Sequence, residues 1–316
     1  MPADDMYADL RRQFDKYWIS TLQPFLQQKE ELRLKYVARF WILVVLSVVV
    51  LPMTGIGIYL INEHFGTNID TGFFYMICVL CVFVCQTPYR LYKKKIKNDV
   101  MQTFISFFDG FSYAEGNGLS VDEMKKSHIF PNADVYEADD CFEGIWQGMP
   151  LRVTEQILKT IYYSKNKRRE RVVFQGIAVE LNMNKEFDGQ TVVLKDAGFL
   201  NRFKGFKGLE RITLEDPKFE KIFEVYSTNQ VEARFLLTPV FMEKIVCLKD
   251  LYQGKSIQLS FLNQKVLIAI DTKHNMFEPC SFFKTNLNKK KVDAVFGEFL
   301  TIFSIIDLLK IAKRRE

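Results

Sequence analysis

The chain has 316 residues, of which 48% are hydrophobic and 26% are charged, and its formal net charge at pH 7 is +5. This balance excludes an intrinsically disordered chain, and the 9 prolines and 16 glycines exclude a collagen-like or linker-dominated one. Its 6 cysteines are too few and too scattered for a fold built on disulfides.

The first segment, residues 1–36, has the pattern of an amphipathic helix. Apolar side chains recur at spacings of three and four residues at Tyr7, Leu10, Phe14, Trp18 and Leu22. We expect the helix to end near Pro24, because proline disrupts a helix interior. The apolar face has two interpretations: it lies on a membrane surface, or it packs against the protein's own soluble domain.

Two uncharged apolar runs follow. Residues 40–61 contain no ionisable group, and as a helix of about 33 Å they cover a hydrocarbon core of about 30 Å. Residues 72–89 form a second, less apolar run, and the short connector between the runs suits a turn. We expect a transmembrane hairpin over residues 37–90. The first run starts too far along the chain and is too long for a cleaved signal peptide.

The cations around the hairpin predict its orientation. Nine of them flank the two runs, and the connector Asn62–Asp70 contains none. They are Lys29, Arg33, Lys35, Arg39, Arg90, Lys93, Lys94, Lys95 and Lys97. Because cytoplasmic flanks carry the excess of lysine and arginine, we expect both termini in the cytoplasm and the connector on the opposite face of the membrane.

The third segment, residues 91–316, is long enough for a cytoplasmic domain with a core of its own. A helix is expected at about residues 96–108, and Ser120 with Glu123 forms a capping-box pattern before another. Five runs with strand character then follow at short spacings: ADVYEA, CFEGIWQG, LRVTEQILKTI, RVVFQGIAVEL and QTVVLKD. Connections this short predict an antiparallel sheet, and hence an α+β fold.

The second half of this segment contains helix signals. Ser227 with Gln230 and Thr238 with Pro239 are expected to begin two helices, and Asn263-Gln264 is expected to turn a β-hairpin. Residues 292–313 are apolar over much of their circumference, so a third membrane span is an alternative. The acidic residues within them favour a long C-terminal helix packed on the sheet.

The segment from Gly208 to Ile245, GLERITLEDPKFEKIFEVYSTNQVEARFLLTPVFMEKI, resembles a bacterial family of uncharacterised membrane proteins, domain-of-unknown-function family 3137. The VEAR tetrapeptide, the LLTP turn and the later pair Phe277 and Glu278 fit the family in order and spacing. The resemblance implies a membrane-anchored bacterial protein and assigns no catalytic residue. Glu232 and Arg234 are the polar residues of the signature, and they belong either to a partly buried ionic network or to a recognition site.

Residues that commonly carry chemistry give weak signals. The 3 histidines are far apart, and no nucleotide-binding or hydrolase motif occurs, so we predict no catalytic residue, no metal and no cofactor. Cys78, Cys81 and Cys85 share a helix face, where packing is favoured over metal binding, palmitoylation or thiol sensing. An acidic cluster reads as a solvated loop rather than as ligands for a divalent ion. Its members are Glu137, Asp139, Asp140 and Glu143.

Basic runs are the most suggestive polar feature. In one of them, cations surround the glycines of NRFKGFKGLER, at Arg202, Lys204, Lys207 and Arg211. Such a loop could receive an anionic lipid headgroup or a phosphate, and its alternative is a solvated turn. Aromatic residues do not interleave with the cations, so nucleic acid is not expected as a partner.

Together these patterns predict an integral membrane protein whose cytoplasmic domain is a binding or scaffold module for anionic lipid or a protein partner. The alternative is an enzyme that acts on a membrane-proximal substrate with Glu232, Arg234 and the acidic cluster. A deep pocket that gathers these polar groups would favour the enzyme.

Overall fold

The computed structural model describes residues 2–66, 71–165, 167–196, 208–251 and 256–309. The chain divides into two compact units. Unit 1 comprises Met1–Phe107 and Glu278–Asp293, and unit 2 comprises Phe108–Phe277 and Ala294–Glu316. The boundaries at residues 36 and 90, which separate the predicted segments, stay a prediction.

Unit 1 is built on long helices. Helix α1, Pro2–Tyr17, continues through a π-helical turn, Trp18–Leu22, into helix α2, Gln23–Phe65. The prediction that the first helix ends near Pro24 is wrong. Pro24 lies in the first turn of α2, directly after the wider π-helical turn, where the hydrogen-bonding pattern changes and a missing amide hydrogen is tolerated.

The second long helix, α3, spans Thr71–Ile105 without a break. It includes Pro88 in its interior. The helix expected at about residues 96–108 is present up to Ile105 as the last part of α3, because the apolar run and the basic stretch after it form one helix. Lysine is a good helix former, so the change from apolar to charged sequence does not end the helix.

The face of α1 that was predicted to be apolar packs against the end of α3. The ring centroid of Phe14 lies 5.5 Å from that of Phe104, and the Tyr17 hydroxyl donates to the Thr103 carbonyl at 2.6 Å. Phe14, Trp18 and Leu22 are buried. Of the two interpretations of this face, intramolecular packing within unit 1 accounts for its buried residues.

Helices α2 and α3 are the two described helices that are long and apolar enough to cross a membrane. In their most apolar stretches, none of the residues of the first and 6% of those of the second are buried. The helices pack side by side, and the Ser47 hydroxyl lies 3.3 Å from the Cys85 sulfur. Their remaining apolar side chains, such as Val48 and Val82, are exposed.

Unit 2 contains the sheet. Over the described residues, seven strands form one sheet in which every pairing is antiparallel. The strands are β1 Ser112–Glu115, β2 Val135–Trp146, β3 Met149–Ser164, β4 Lys167–Lys195, β5 Glu210–Ile212, β6 Phe223–Ser227 and β7 Ser256–Asp271. The predicted α+β class with an antiparallel sheet is confirmed.

The centre of the sheet is a ribbon of β4 and β7. Strand β4 unites the two predicted strands RVVFQGIAVEL and QTVVLKD, and β7 pairs with it along both halves. The hairpin expected at Asn263-Gln264 is wrong, since β7 runs through these residues as one strand. Asn263 has a φ of 57°, and the pairing shifts register beside it, so the local signal marks a bulge instead of a turn.

One glycine in this ribbon is required by a close approach. A Cβ atom on Gly176 of β4 would clash with the Ile270 carbonyl of β7. Gly176 pairs with Asp271 at the start of the shared ladder. Any larger residue would push the two strands apart where the sheet is most buried.

Short helices lie between and after the strands. They are α4 Val121–Ser127, α5 Pro217–Glu220, α6 Gln230–Leu236 and α7 Pro239–Leu251. The predicted capping box of Ser120 and Glu123 is present at α4, and α7 begins at Pro239 with the Thr238 hydroxyl accepting from the Phe241 amide. The cap expected at Ser227 is wrong: Asn229 caps α6, and its side-chain oxygen accepts from the Val231 and Glu232 amides.

The long C-terminal helix, α8, spans Lys289–Leu309. In unit 2 its aromatic side chains pack on β2: Phe299 lies 4.7 Å from Phe142, and Phe303 stacks on Trp146 at 3.8 Å. These contacts confirm a packed helix. The described residues contain no third helix that meets the length and hydropathy of a membrane span.

Candidate functional site

Unit 2 has a polar depression on the sheet, which we call the mixed-charge cleft and define by Glu123, Arg152, Glu180 and Lys265. It consists of two adjoining cavities of about 490 Å³ and 200 Å³ that share Glu123, Glu180 and Lys265. The four side chains come from α4, β3, β4 and β7. The cleft therefore forms only when α4 and these three strands are assembled.

Arg152 joins the two carboxylates of the cleft. It donates to Glu123 Oε1 at 3.0 Å and to Glu180 Oε2 at 3.2 Å. Lys265 donates to the other oxygen of Glu180 at 3.2 Å. The register of the sheet explains the arrangement, because Arg152 of β3 pairs directly with Glu180 of β4 and cross-strand partners on one face lie close together.

The charges of the cleft are fixed by their neighbours. Burial alone would raise the pKa of Glu123, but hydrogen bonds from the Ser120 amide and hydroxyl, together with Arg152, outweigh it and lower the pKa. Burial would lower the pKa of Arg152, and Glu180 and Glu123 raise it instead. The cleft thus presents ionised groups of both signs at neutral pH. Such a surface suits recognition of a polar partner more than proton transfer.

The predicted acidic cluster lies in strand β2, so the expectation of a solvated loop is wrong for its central residues. Asp140 is buried beside a register shift between Ala138 and Cys141. Its carboxylate oxygen, one from Asp139 and one from Glu155 lie within 4.8 Å of one another. An irregular pairing turns an additional side chain inward, which the alternation of the sequence does not reveal.

The protein supplies donors to this cluster. The Tyr113 hydroxyl donates to Asp140 at 2.7 Å, the Met276 amide to Glu155 at 2.8 Å, and the Asn275 amide nitrogen to Asp139 at 3.3 Å. Burial and the Asp140 charge raise the pKa of Tyr113, which keeps its hydroxyl protonated and able to donate. Carboxylates are ligands for hard cations. Here each of the three carboxylates accepts a hydrogen bond from the protein, so we interpret the cluster as a structural network.

Residues 172–311 match the model of a family described as Protein of unknown function (DUF3137). The match covers less than half of the chain. The resemblance expected from the signature segment is thereby confirmed over these residues. No curated protein matches the chain.

Among solved structures, the crystal structure of the mycobacterial trehalose monomycolate transport factor A, TtfA, is similar at 12% sequence identity. The similarity covers 70% of this chain and 99% of that chain, with a TM-score of 0.37. A likeness at this level carries no argument about the function of this protein.

The DUF3137 signature segment is explained largely by local structure. Asn229 caps α6, which carries a half-buried Glu232 and an exposed Arg234, and Thr238 with Pro239 begins α7. The fold places neither Glu232 nor Arg234 among the residues that line the mixed-charge cleft. The signature segment therefore pointed to residues near helix ends, and no sequence pattern pointed to the mixed-charge cleft.

Of the basic loop, Arg202, Lys204 and Lys207 lie outside the described residues, and only Arg211 can be placed. Arg211 of β5 forms an ion pair of 3.4 Å with the buried Glu224 of β6. This pairing gives Arg211 a structural partner within the DUF3137 region. Its role in binding an anion stays a prediction.

The later signature pair, Phe277 and Glu278, occupies two different environments. Phe277 is buried in unit 2, 4.8 Å from Phe142. In unit 1, Glu278 accepts from the buried Lys97 at 3.0 Å and lies 3.7 Å from Lys93. Because Lys97 is 1% exposed, removal of Glu278 would take a counterion away from a buried cation, which is costly in a nonpolar environment.

The segment after Glu278 is held in unit 1 by a polar network that the sequence did not predict. Arg33 donates to the Phe282 carbonyl at 2.8 Å and pairs with Glu30 at 2.7 Å. Burial would raise the pKa of Glu30, but hydrogen bonds from Arg33 and the Asn286 amide lower it. Asn286 also donates to the Tyr92 hydroxyl. The contacts from Arg33 to Phe282 and from Asn286 to Tyr92 join residues that are 249 and 194 positions apart, so no local pattern could reveal them.

Cys78, Cys81, Cys85 and Cys141 are at least partly buried within the packing of the protein. Burial, with the neighbouring Glu143 charge, raises the pKa of Cys141 to about 12, so its thiol is protonated at neutral pH. Cys78, Cys81 and Cys85 are half-buried in α3, and Cys85 contacts Ser47 of α2. A protonated, buried thiol is a poor nucleophile. Cys141 is therefore unsuited to covalent catalysis.

Proposed function

We propose that this protein is a two-span inner-membrane protein whose cytoplasmic domain acts as a binding module. In this proposal, residues 1–36 form a cytoplasmic helical segment, residues 37–90 the transmembrane hairpin and residues 91–316 the cytoplasmic domain. The observation that carries it is the outward-facing apolar surface of α2 and α3, where exposed side chains would otherwise be in water. Soluble proteins rarely expose apolar patches this extensive.

The orientation rests on the cations. Arg39 and Arg90 stand at one end of the two apolar runs, and the connector Asn62–Asp70 has no lysine or arginine. The basic end belongs in the cytoplasm by the positive-inside rule. Aromatic residues accompany it: Tyr89 and Phe40 lie 5.3 Å and 5.8 Å from Phe282, a cluster suited to the membrane interface.

Cysteine labelling tests both insertion and topology. In full-length protein with its native cysteines replaced by alanine, Phe65→Cys should react with a membrane-impermeant maleimide in intact spheroplasts. Val231→Cys should react only after permeabilisation. Both positions are well exposed, at 71% and 78%, so reactivity reports the compartment. Protection of Phe65→Cys, labelling of Val231→Cys in intact spheroplasts, or release of the protein by alkaline carbonate would overturn the proposal.

The binding surface of the module is the mixed-charge cleft. Its opposite charges and its cavity of about 490 Å³ suit a polar protein segment that carries both signs of charge. A photo-crosslinker at the exposed Asn182, which lines the cleft, should give a discrete adduct in cells. Lys265→Glu should remove it, because it reverses the charge beside Glu180.

Lys221→Glu is the matched control, since it reverses an exposed charge in unit 2 that does not line the cleft. It should leave the adduct unchanged. Equal loss with both variants would show that net charge, and not the cleft, governs binding. An adduct of the same kind from a crosslinker at Val231 would show that the contact is not specific to this surface.

A further inference from the structure

The two long helices of unit 1 enclose a groove near the basic end of their apolar runs, which we call the interfacial groove. Its walls include Arg39 and Leu43 of α2 and Val84, Pro88 and Leu91 of α3, and its volume is about 370 Å³. Most of the exposed wall is apolar. The groove therefore combines an apolar interior with a cation, Arg39, at one end.

The cation at that end is available to a ligand. Over the described residues, Arg39 forms no ion pair with a carboxylate, and its guanidinium lies 6.0 Å from the ring of Tyr36, another wall residue. Lys93 and Lys97 differ from Arg39 in their pairing, because each lies within ion-pair distance of Glu278, which partly neutralises their charge. Lys94 and Lys95 are exposed on the next turn of α3. The surroundings of the groove are thus positively charged.

The position of Arg39 fits the depth of a phospholipid headgroup. Arg39 directly precedes the uncharged run that starts at Phe40, whereas Leu43 and Val84 lie within the apolar runs. In a bilayer, Arg39 would lie at the level of the headgroups, and Leu43 and Val84 would lie at the level of the acyl chains. A long basic side chain can extend toward the interface while its stem remains on the apolar surface.

We infer that the interfacial groove binds one anionic phospholipid of the cytoplasmic leaflet. An acyl chain packs on Leu43 and Val84, and the headgroup phosphate pairs with Arg39. The inference rests on the proposed insertion of the hairpin and adds the ligand class and its site. The apolar walls require a chain-bearing ligand, and the unneutralised cations favour a headgroup with net negative charge.

Native mass spectrometry of the full-length protein, released from detergent and titrated with phosphatidylglycerol or phosphatidylcholine, tests this inference. The first phosphatidylglycerol should bind about fivefold more tightly than the first phosphatidylcholine, the effect of about one near-surface cation. Arg39→Gln should reduce this ratio to about one for the same reason. Val84→Phe should weaken phosphatidylglycerol binding without a change in charge, because it fills the groove.

Lys94→Gln is the matched control, since it removes an exposed cation of α3 that does not line the groove. It should keep most of the preference. Equal losses in Arg39→Gln and Lys94→Gln, or unchanged binding in Val84→Phe, would overturn the inference. Carbonate extraction of the same proteins separates the two proposals: an extractable wild type contradicts the membrane proposal, whereas an integral wild type without preference contradicts only the groove.

Discussion

The hairpin and the sheet use the same residue types in opposite ways. In α2 and α3, valine and phenylalanine point outward, with Val48 66% exposed, whereas in unit 2 Phe299 is 1% exposed among other aromatic rings. The difference shows that a balanced composition can contain two kinds of apolar surface. One is buried in the protein's own core, and the other is exposed, which suits the proposed insertion into a membrane.

The largest expected difference concerns deletion of an aromatic ring. Phe299→Ala should destabilise unit 2 by about 3–5 kcal/mol, because it leaves a cavity between rings that now lie 4.7 Å and 4.9 Å away. Phe73→Ala, at a position of α3 that is 51% exposed, should cost less than about 1 kcal/mol. Thermal unfolding of the full-length protein with Trp18 and Trp41 replaced by phenylalanine, followed by Trp146 fluorescence, measures the first effect. Similar losses from both variants would contradict the contrast.

Addition of a charge should have different effects on the apolar surface of α2 and on the exposed surface of unit 2. Val48→Lys should oppose membrane insertion by about 2.5–3.5 kcal/mol, since a lysine would lie near the centre of the first span. Val231→Lys, at an exposed position of unit 2, should change stability by less than about 0.5 kcal/mol. The fraction of each protein that resists carbonate extraction reports the effect. Full retention of Val48→Lys would argue that this surface does not face lipid.

The smallest expected effect is a pH dependence in the cleft. The hydrogen bonds and the Arg152 charge hold the folded pKa of Glu123 below its ordinary value of 4.5. The stabilisation is therefore present above pH 4.5 and is lost as the pH falls through the folded pKa. Glu123→Gln should lower the unfolding temperature slightly at pH 7, and the difference should shrink in acid.

Glu215→Gln, which neutralises an exposed carboxylate of unit 2, is the control and should have a smaller effect at pH 7. Solvent screening keeps the Glu123 effect small, because its side chain is 38% exposed. A difference from wild type that grows as the pH falls would contradict the sign.

Local sequence patterns predicted the α+β class, the α4 and α7 starts and the C-terminal helix, because caps and alternation act over a few residues. They failed where contacts between residues distant in sequence determine the local structure. Asn263-Gln264 has the composition of a turn, but pairing with β4 on both sides keeps β7 extended. Pro24 was assigned to a helix end, yet the preceding π-helical turn accommodates it.

The candidate site was less predictable than the fold. Only Glu123 gave a local signal, as part of a capping box. Arg152, Glu180 and Lys265 are ordinary polar positions of strands until the register brings them together. The lysine-rich stretch after the second apolar run is a basis of the predicted orientation, but the burial of Lys97 against Glu278 depends on a contact across 181 positions.

The central ribbon of the sheet also affects the order of events during synthesis. Strand β4 leaves the ribosome well before its partner β7, with about sixty residues of chain between them. Until β7 is made, one long edge of β4 has no strand to pair with, and unpaired edges promote aggregation. The hairpin is synthesised earlier still. In the proposed topology, insertion of the hairpin would keep each unfinished sheet apart from others on the membrane surface.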